Sequence, residues 1–320
     1  MSTISVVIPA FNRADMIGET LASVFAQTLA PLEIIVVDDG STDGTAELLA
    51  RMSNRVRSIR IPNSGHQTAR NVGLRAAQGE LVAFCDDDDL WMPEFLETMA
   101  AQWDARPDLV SCYSNFRILR DGQMQATSKF DEARRYQWNE LADAGPDGMV
   151  FETPIVDRLI AFQPLFPSAM VVRREAFLDA GGWDDSVNRH HISVDFATAL
   201  RVANLPPLAV VSRPLVAIRK HAGNRSGDNQ KMNTGEAHVL EHVLRTRPEL
   251  APHEKLIRDS IARRRHDALR LAFWRRDFKA VIELYSLLPV SFRGWKEVMK
   301  YAIATLPAPI SAVAAALVSL

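Results

Sequence analysis

Leu81-Val82-Ala83-Phe84-Cys85-Asp86-Asp87-Asp88-Asp89 runs five apolar residues straight into four carboxylates. The apolar half has the length of one strand, and near-continuous apolar strands suit a parallel sheet covered on both faces. Two similar runs come before it: Ile4 to Ile8, closed by Pro9, and Ile34 to Val37. Between those two, Ile17, Leu21, Val24 and Phe25 fall at the spacing of one helix face. A second helix is expected to start near Ser41 to Asp43, whose short polar side chains can cap it, and to bury Ala46 and Leu49. A third is expected from about His66 to Ala77. Its face of Ala69, Val72, Gly73 and Ala76 is small enough to pack closely on a sheet. Strand alternating with helix is the signature of right-handed βαβ units. Roughly the first hundred residues therefore read as an α/β half of nucleotide-binding type.

The chain has 320 residues, 47% of them hydrophobic, enough for one large domain or two smaller ones. A formal net charge of -2 argues against nucleic acid as a partner. Cys85 and Cys112 cannot form a disulfide framework and fit a reducing compartment. The start, Met1 to Pro9, lacks the basic head and long apolar core of a signal peptide, so a cytoplasmic location is expected. From about 105 to 165, Gly122, Gly145, Pro146, Gly148 and Pro154 lie among polar residues. That stretch reads as long loops around a strand near Leu109 to Tyr113. Order returns at Ser168 to Val172 and in the helical pattern Phe196 to Val202. From Glu236 onward the periodicity is helical throughout. The expected division is an α/β domain over 1–226 and a helical region over 227–320.

Five stretches carry chemistry. Val36-Val37-Asp38-Asp39-Gly40-Ser41 places two acids at the end of an apolar strand. In open α/β sheets ligands bind outside such strand ends, where an acid can accept from a base N–H or a ribose hydroxyl. Read alone, these are also ordinary turn and cap residues. The Asp86 to Asp89 run follows a strand that should be buried. Crowded carboxylates repel, and a divalent cation such as Mg²⁺ or Mn²⁺ removes that cost. In extended backbone Asp86 and Asp88 point the same way. Asn63 to Asn71 takes a glycine-bearing turn into a helix with Arg70 near its start, where an anion is favoured. Gly181-Gly182-Trp183-Asp184-Asp185 precedes Asp195, which taken alone is a helix cap. Arg219-Lys220-His221-Ala222-Gly223-Asn224-Arg225-Ser226 suits a loop closing over a diphosphate, with His221 as a metal ligand.

In this order the five stretches resemble family 2 of the inverting glycosyltransferases, which have the GT-A fold. The resemblance covers roughly residues 3 to 226. Its most specific parts are Val6-Val7-Ile8-Pro9-Ala10-Phe11-Asn12, Gln27-Thr28 and Val37-Asp38-Asp39-Gly40-Ser41-Thr42-Asp43. Ala69-Arg70-Asn71 and Asp86 to Asp89 extend the match. It implies a Rossmann-like, mostly parallel sheet flanked by helices, with residues 1–226 as the catalytic domain. It further implies nucleotide-sugar binding through Pro9, Asp39, Arg70, Asp86 and Asp87, and a DXD-type metal site at Asp86 and Asp88, to which the reading of the Arg219 to Ser226 loop adds His221. Asp195 matches the catalytic base. The implied activity is metal-dependent inverting transfer of a single sugar from a nucleotide-diphosphate sugar to a hydroxyl of a glycan, a lipid-linked glycan or another acceptor. Val194 and Ala197 depart from the family, which commonly has acids there, and the Gln-x-x-Arg-Trp signature of processive synthases is absent.

Two readings compete with transfer: a catalytically inactive nucleotide-sugar-binding module, and a nucleotidyltransferase or dehydrogenase on a similar sheet. Pro9-Ala10-Phe11-Asn12-Arg13-Ala14 lacks the G-x-G-x-x-G of a dinucleotide site. At the other end, Glu254 to Arg276 holds eight basic residues and three acids, a local charge of +5. The residues after Tyr301 are uncharged and broken by Pro307 and Pro309. A spanning helix is not expected there. Either a helical cap on the catalytic domain or peripheral membrane contact is.

Overall fold

The computed structural model describes residues 2–136, 138–143, 148–187, 192–221 and 227–318. They fall into two compact units, residues 1–189 with 198–221, and residues 190–197 with 222–320. The first unit begins with β1 (Ile4–Ala10), α1 (Ile17–Phe25), β2 (Glu33–Asp38), α2 (Thr45–Arg51), β3 (Arg57–Arg60), α3 (His66–Ala76) and β4 (Leu81–Phe84). It continues through β5 (Leu90–Trp91), α4 (Phe95–Ala105), β6 (Ser111–Arg120), β7 (Gln123–Ser128), α5 (Lys129–Ala133), α6 (Asn139–Asp143), β8 (Met149–Phe151) and α7 (Val156–Ala161). Next come β9 (Met170–Arg173) and α8 (Arg174–Asp179), then α9 (Asp195–Ala203), within which the division falls, and β10 (Leu208–Lys220).

These strands form one sheet in the order β3-β2-β1-β4-β9-β6-β10-β5, with β7 added to β6 and β8 to β10. The four strands of the repeating strand–helix half are parallel, as expected. Beyond β4 the sheet becomes mixed. β9 runs antiparallel to both β4 and β6, while β10 is parallel to β6. Because β1, β2 and β4 run the same way, Ala10, Asp38 and Cys85 emerge at one sheet end, outside which ligands bind in open α/β sheets. Val6, Val7, Ile8, Val36, Val37 and Phe84 have no exposed surface, which is why these strands read as unbroken apolar runs.

The small face of α3 has a measurable cause. A Cβ on Gly73 would stand 2.3 Å from Val7 Cγ1 and 3.3 Å from Val37 Cγ2. Only glycine lets α3 lie this close to β1 and β2, and that approach carries Arg70, one helical turn earlier, over the strand ends.

Two expectations are corrected. The stretch read as long loops holds the β6–β7 hairpin, turned at Asp121 and Gly122 with φ of 50° and 74°. Both residues are left-handed, the requirement of a two-residue Asp-Gly hairpin turn. That signal is in the sequence, and counting glycines and prolines without their spacing misses it. Strand β10 was not expected at all, because Pro214 interrupts its apolar run. The pairing with β6 shifts register on either side of Pro214, so the proline sits in an irregularity of the ladder. Of the glycines and prolines in that loop reading, Gly145 and Pro146 lie outside the described residues.

The second unit holds α10 (Asn229–Thr246), α11 (Glu254–Trp274), α12 (Phe278–Leu287), α13 (Trp295–Ala304) and α14 (Ala308–Val318). Leu269, Phe273, Val281, Leu284, Leu288 and Ile303 form a core between α11, α12 and α13. Gly235 of α10 lies where a Cβ would meet Ile192 O at 2.6 Å. Half of the eight basic residues from Glu254 to Arg276 are in ion pairs within the unit: Arg258 with Glu254, Arg264 with Glu236, Arg265 with Glu241 and Arg275 with Asp228. Exposed apolar residues recur at helical spacing on the last two helices, Trp295 and Val298 on α13, then Ile310, Val313 and Leu317 on α14. Among the described residues no helix is long and apolar enough to cross a membrane.

The packing of α3 predicts opposite outcomes for two glycines. Gly73→Val should destabilise the chain by about 1–3 kcal/mol, the usual cost of overpacking. Gly18→Ala, in α1 with nothing within 4 Å of its Cβ position, should stabilise it by about 0.5–1 kcal/mol. Urea denaturation reads both, and a neutral Gly73→Val would contradict the close approach of α3 to β1.

Candidate functional site

The acidic run does not continue the strand. The Asp89 amide donates to Asp86 O at 3.3 Å, so the backbone turns, and four consecutive carboxylates leave in four directions. Asp86 and Asp88 are thus not aligned as extended backbone would align them. Asp86 meets Arg70, whose Nη2 lies 2.5 Å from Asp86 Oδ1. Asp87 turns back to β1, accepting from the Phe11 amide at 3.0 Å and from Arg13 Nε at 3.2 Å. Asp88 meets His221, with Oδ2 and Nε2 2.9 Å apart. Asp89 turns inward, accepting from Ser168 Oγ at 2.5 Å and from the Arg219 amide at 2.9 Å.

These partners fix the site from three strands. Ser168 also accepts from the Asp86 amide at 3.0 Å, so one hydroxyl ties both ends of the acidic turn. Arg219 Nε donates to Asp88 O at 2.9 Å, which fastens the end of β10 to the same turn and delivers His221, the next residue but one. Burial, and after it the charge of Asp88, pushes the Asp87 carboxyl up to about 7, against the opposing pull of Arg13. Burial and then Asp88 likewise push Asp89 well above the ordinary carboxylate range.

Asp39 is buried at the end of β2, and both its oxygens are engaged. Oδ1 accepts from the Ser64 amide at 2.6 Å and Oδ2 from the Gly65 amide at 2.8 Å. The carboxylate holds the turn that enters α3, with capacity left for a further donor. Gly40, at φ 78°, lets that turn approach, because a Cβ there would stand 2.9 Å from Asn63 N. Asp38 accepts from the Ser41 amide at 2.9 Å and pairs with Arg60 at 3.4 Å, a structural use. Pro9 is buried inside β1.

Asp86, Asp87, Asp88, Arg70, Asp39 and His221 all belong to the first unit. Asp195 is the first residue of α9 and belongs to the second. Val194 and Ala197, the two departures from the family, are each 2% exposed, and an unpaired carboxylate would be costly in either place. Of the His221 loop, residues 222–226 lie outside the described residues. Sequence reasoning missed Ser168, Arg13 and Asn71, which are polar residues of common type whose partners lie far along the chain.

Among the described residues no three His, Cys, Asp or Glu side chains converge as a metal cage. Asp88 and His221 do present an oxygen and a nitrogen donor side by side. The carboxylate suits a divalent cation that completes its shell with water and phosphate oxygens, and the imidazole can add a nitrogen donor. Asp86, the third expected ligand, is held by Arg70.

Residues 5–157 match the family profile described as "Glycosyl transferase family 2". The putative glycosyltransferase EpsH of Bacillus subtilis is 38% identical over 137 residues, 42% of this chain and 39% of that protein. The uncharacterized glycosyltransferase YwdF of the same organism is 29% identical over 237 residues, 72% of this chain and 78% of that one. The chain covers less than two thirds of several curated relatives, 30% of the Nostoc protein alr2836 and 39% of EpsH. In structure, the chain resembles S. aureus TarS 1–349 in complex with UDP-GlcNAc, with a TM-score of 0.64 at 18% identity over 94% of this chain and 90% of that one. That likeness establishes the GT-A fold.

The raised Asp87 carboxyl sets a pH dependence. Its folded value, about 7, lies above the ordinary 3.8. Between those values the folded chain keeps a proton that the unfolded chain releases. The stabilisation is therefore complete below the lower value and is lost as pH rises through the upper one. In EDTA, Asp87→Asn should lose less stability than wild type between about pH 5 and pH 8 in urea denaturation. An equal or steeper loss would contradict the burial of this carboxyl.

Proposed function

We propose that the chain is a member of glycosyl transferase family 2, whose profile matches residues 5–157, and that it transfers a single sugar from a nucleotide-diphosphate sugar to an acceptor hydroxyl with inversion. The observation that carries the reading is the acidic turn at the end of β4, with Asp88 against His221 and Asp86 against Arg70. It stands where ligands bind in open α/β sheets, beside the Asp39-anchored turn into α3. The TarS neighbour, solved in complex with UDP-GlcNAc, supports a sugar nucleotide as the donor class.

In this mechanism Arg70 and the Asp39 turn receive the nucleotide, and Asp86 and Asp87 hold Arg70 and Arg13 in place around it. A divalent cation such as Mn²⁺ or Mg²⁺, held by Asp88 and His221, supplies Lewis-acid neutralisation of the diphosphate when bound. Asp195 accepts the proton of the acceptor hydroxyl. The acceptor oxygen bonds to the anomeric carbon from the face opposite the diphosphate. The bond from that carbon to phosphate oxygen breaks, and its electron pair leaves with the nucleoside diphosphate. The hydroxyl here takes the place of water in an inverting glycosidase.

For the second unit, the peripheral-membrane reading rests on exposed apolar residues more than on the paired basic ones. Trp295 sits beside Lys296, with its ring centroid 5.6 Å from Nζ, and Ile310, Val313 and Leu317 are exposed on α14. Side chains of that kind suit a headgroup boundary. Sedimentation with anionic vesicles that survives high salt supports it, and absence of binding at low salt removes it.

The activity test is nucleotide release from UDP-GlcNAc and other sugar nucleotides, with Mn²⁺ and a hydroxyl acceptor panel. Wild type should turn over, whereas EDTA or Asp88→Asn should reduce release to background. Asp195→Asn should lower kcat by about 10²–10⁴ and leave nucleotide binding intact. Full activity in excess EDTA would falsify the metal assignment. Nucleotide binding without turnover across the panel would favour an inactive binding module.

A further inference from the structure

The Gly181-Gly182-Trp183-Asp184 turn is left unused by the mechanism above, although it lies against Arg70. The guanidinium carbon of Arg70 stands 4.5 Å from the centroid of the Trp183 ring. Arg70 is 2% exposed, so this contact is nearly free of solvent. Desolvated cation–π contacts are the strong ones, and tryptophan is the best aromatic partner. The other faces of the guanidinium are also set, by Gln67 Oε1 at 2.9 Å and by Asp86.

Trp183 is itself held with unusual firmness. The side chain of Asn71, the residue after Arg70, makes a two-bond clasp with the Trp183 backbone: Nδ2 donates to Trp183 O at 2.8 Å, and Oδ1 accepts from Trp183 N at 2.9 Å. Glycine at 182 is required by this clasp, because a Cβ there would stand 2.6 Å from Asn71 Oδ1 at a φ of +63°. Arg201 holds the other side of the turn, donating to Gly182 O at 2.6 Å and pairing with Asp184 at 3.5 Å. The indole packs edge-on against Phe84, with centroids 4.9 Å apart, and against Phe177 at 5.8 Å. A second observation separates tryptophan from a simple core filler. Its indole N–H is buried with no acceptor among the described residues. A buried N–H without a partner is unfavourable, and phenylalanine would avoid that cost. What tryptophan adds over phenylalanine is ring area under the cation.

We infer that Trp183 is a positioning residue for donor binding: clasped by Asn71, its indole face holds the Arg70 guanidinium against Asp86, in the orientation that receives the nucleotide. This rests on the glycosyltransferase reading, through the role given there to Arg70. Loss of the ring lets Arg70 leave Asp86, so donor affinity falls while the proton-transfer step keeps its residues.

The test compares Trp183→Phe, Trp183→Leu and Phe177→Leu. Phe177 touches the same aromatic cluster, and no contact links it to Arg70 among those described, so its variant controls for loosened packing. Calorimetry would measure affinity for UDP, GDP, dTDP and CMP with Mn²⁺, following whichever nucleotide wild type binds most tightly. Trp183→Leu should weaken that nucleotide by about 5–30-fold, the scale of a desolvated cation–π contact, and Trp183→Phe should weaken it less. Trp183→Phe should unfold within about 3 °C of wild type, so its affinity loss is not a loss of fold. Phe177→Leu should lower the unfolding temperature and leave affinity unchanged. Combined with Arg70→Met, Trp183→Leu should cost no further affinity. Additive losses, or an equal affinity loss in Phe177→Leu, would overturn the inference and leave Trp183 as packing. Failure of wild type to bind any of the four nucleotides would instead sink the glycosyltransferase reading on which it depends.

Discussion

Four carboxylates in sequence at the end of a buried strand are the constraint to which the rest of the first unit answers. In water they would repel and stay solvated. Here the strand delivers them into a region where Asp89 is 3% and Asp88 is 8% exposed. Buried carboxylates persist only when charge or hydrogen bonds compensate them. The backbone turn solves this by separation, giving each acid its own partner. Arg70 comes from α3, Arg13 from the loop after β1, His221 from the end of β10, and Ser168 from just before β9. Each partner belongs to a different element, so satisfying the charges also fixes the geometry of the sheet end.

The close approach of helix to sheet makes those partnerships reachable. Gly73 brings α3 down onto Val7 and Val37, and Gly40 admits the Asn63 backbone beside β2. Asp39 then fastens the entering turn through two amides. Were α3 lifted by even one methyl group, Arg70 would stand off from Asp86 and the buried guanidinium would lose its carboxylate. Breaking one side of a buried pair is far more costly than never having had it. The small residues of α3 and the acids of β4 therefore act as one device.

Much of this was legible in the sequence, for a physical reason. Strand, helix and strand-end acid are local patterns, so the parallel half of the sheet, the helix from His66 and the placing of acids at the end of β4 could be read from residue order. What escaped depended on distant partners. Ser168 is an unremarked serine until it stands 2.5 Å from Asp89. Asn71 looks like a polar helix residue until it clasps Trp183, more than a hundred positions on. Strand β10 escaped because Pro214 breaks its pattern, and only the irregular ladder with β6 shows how the proline is accommodated. Extended backbone would place Asp86 and Asp88 on one face, but the chain turns from Asp86 to Asp89 and separates them.

The two units use their charge differently, and the contrast bears on what each presents to its surroundings. In the first, cations are drawn to the acidic turn and leave Asp86 31% exposed beside Arg70, so the sheet end stays polar and receptive. In the second, Arg258, Arg264 and Arg265 of α11 pair with Glu254, Glu236 and Glu241, and Glu297 is buried against His266 and Lys300. Pairing within the unit reduces the field that a formal +5 stretch would project. The outer faces of α13 and α14 then depend on area rather than charge, with Trp295, Val313 and Leu317 each more than 60% exposed. A helix that is apolar on every side is ordinarily buried. Any surface that covers this one is therefore favoured by removal of apolar area from water, a contribution that salt does not screen.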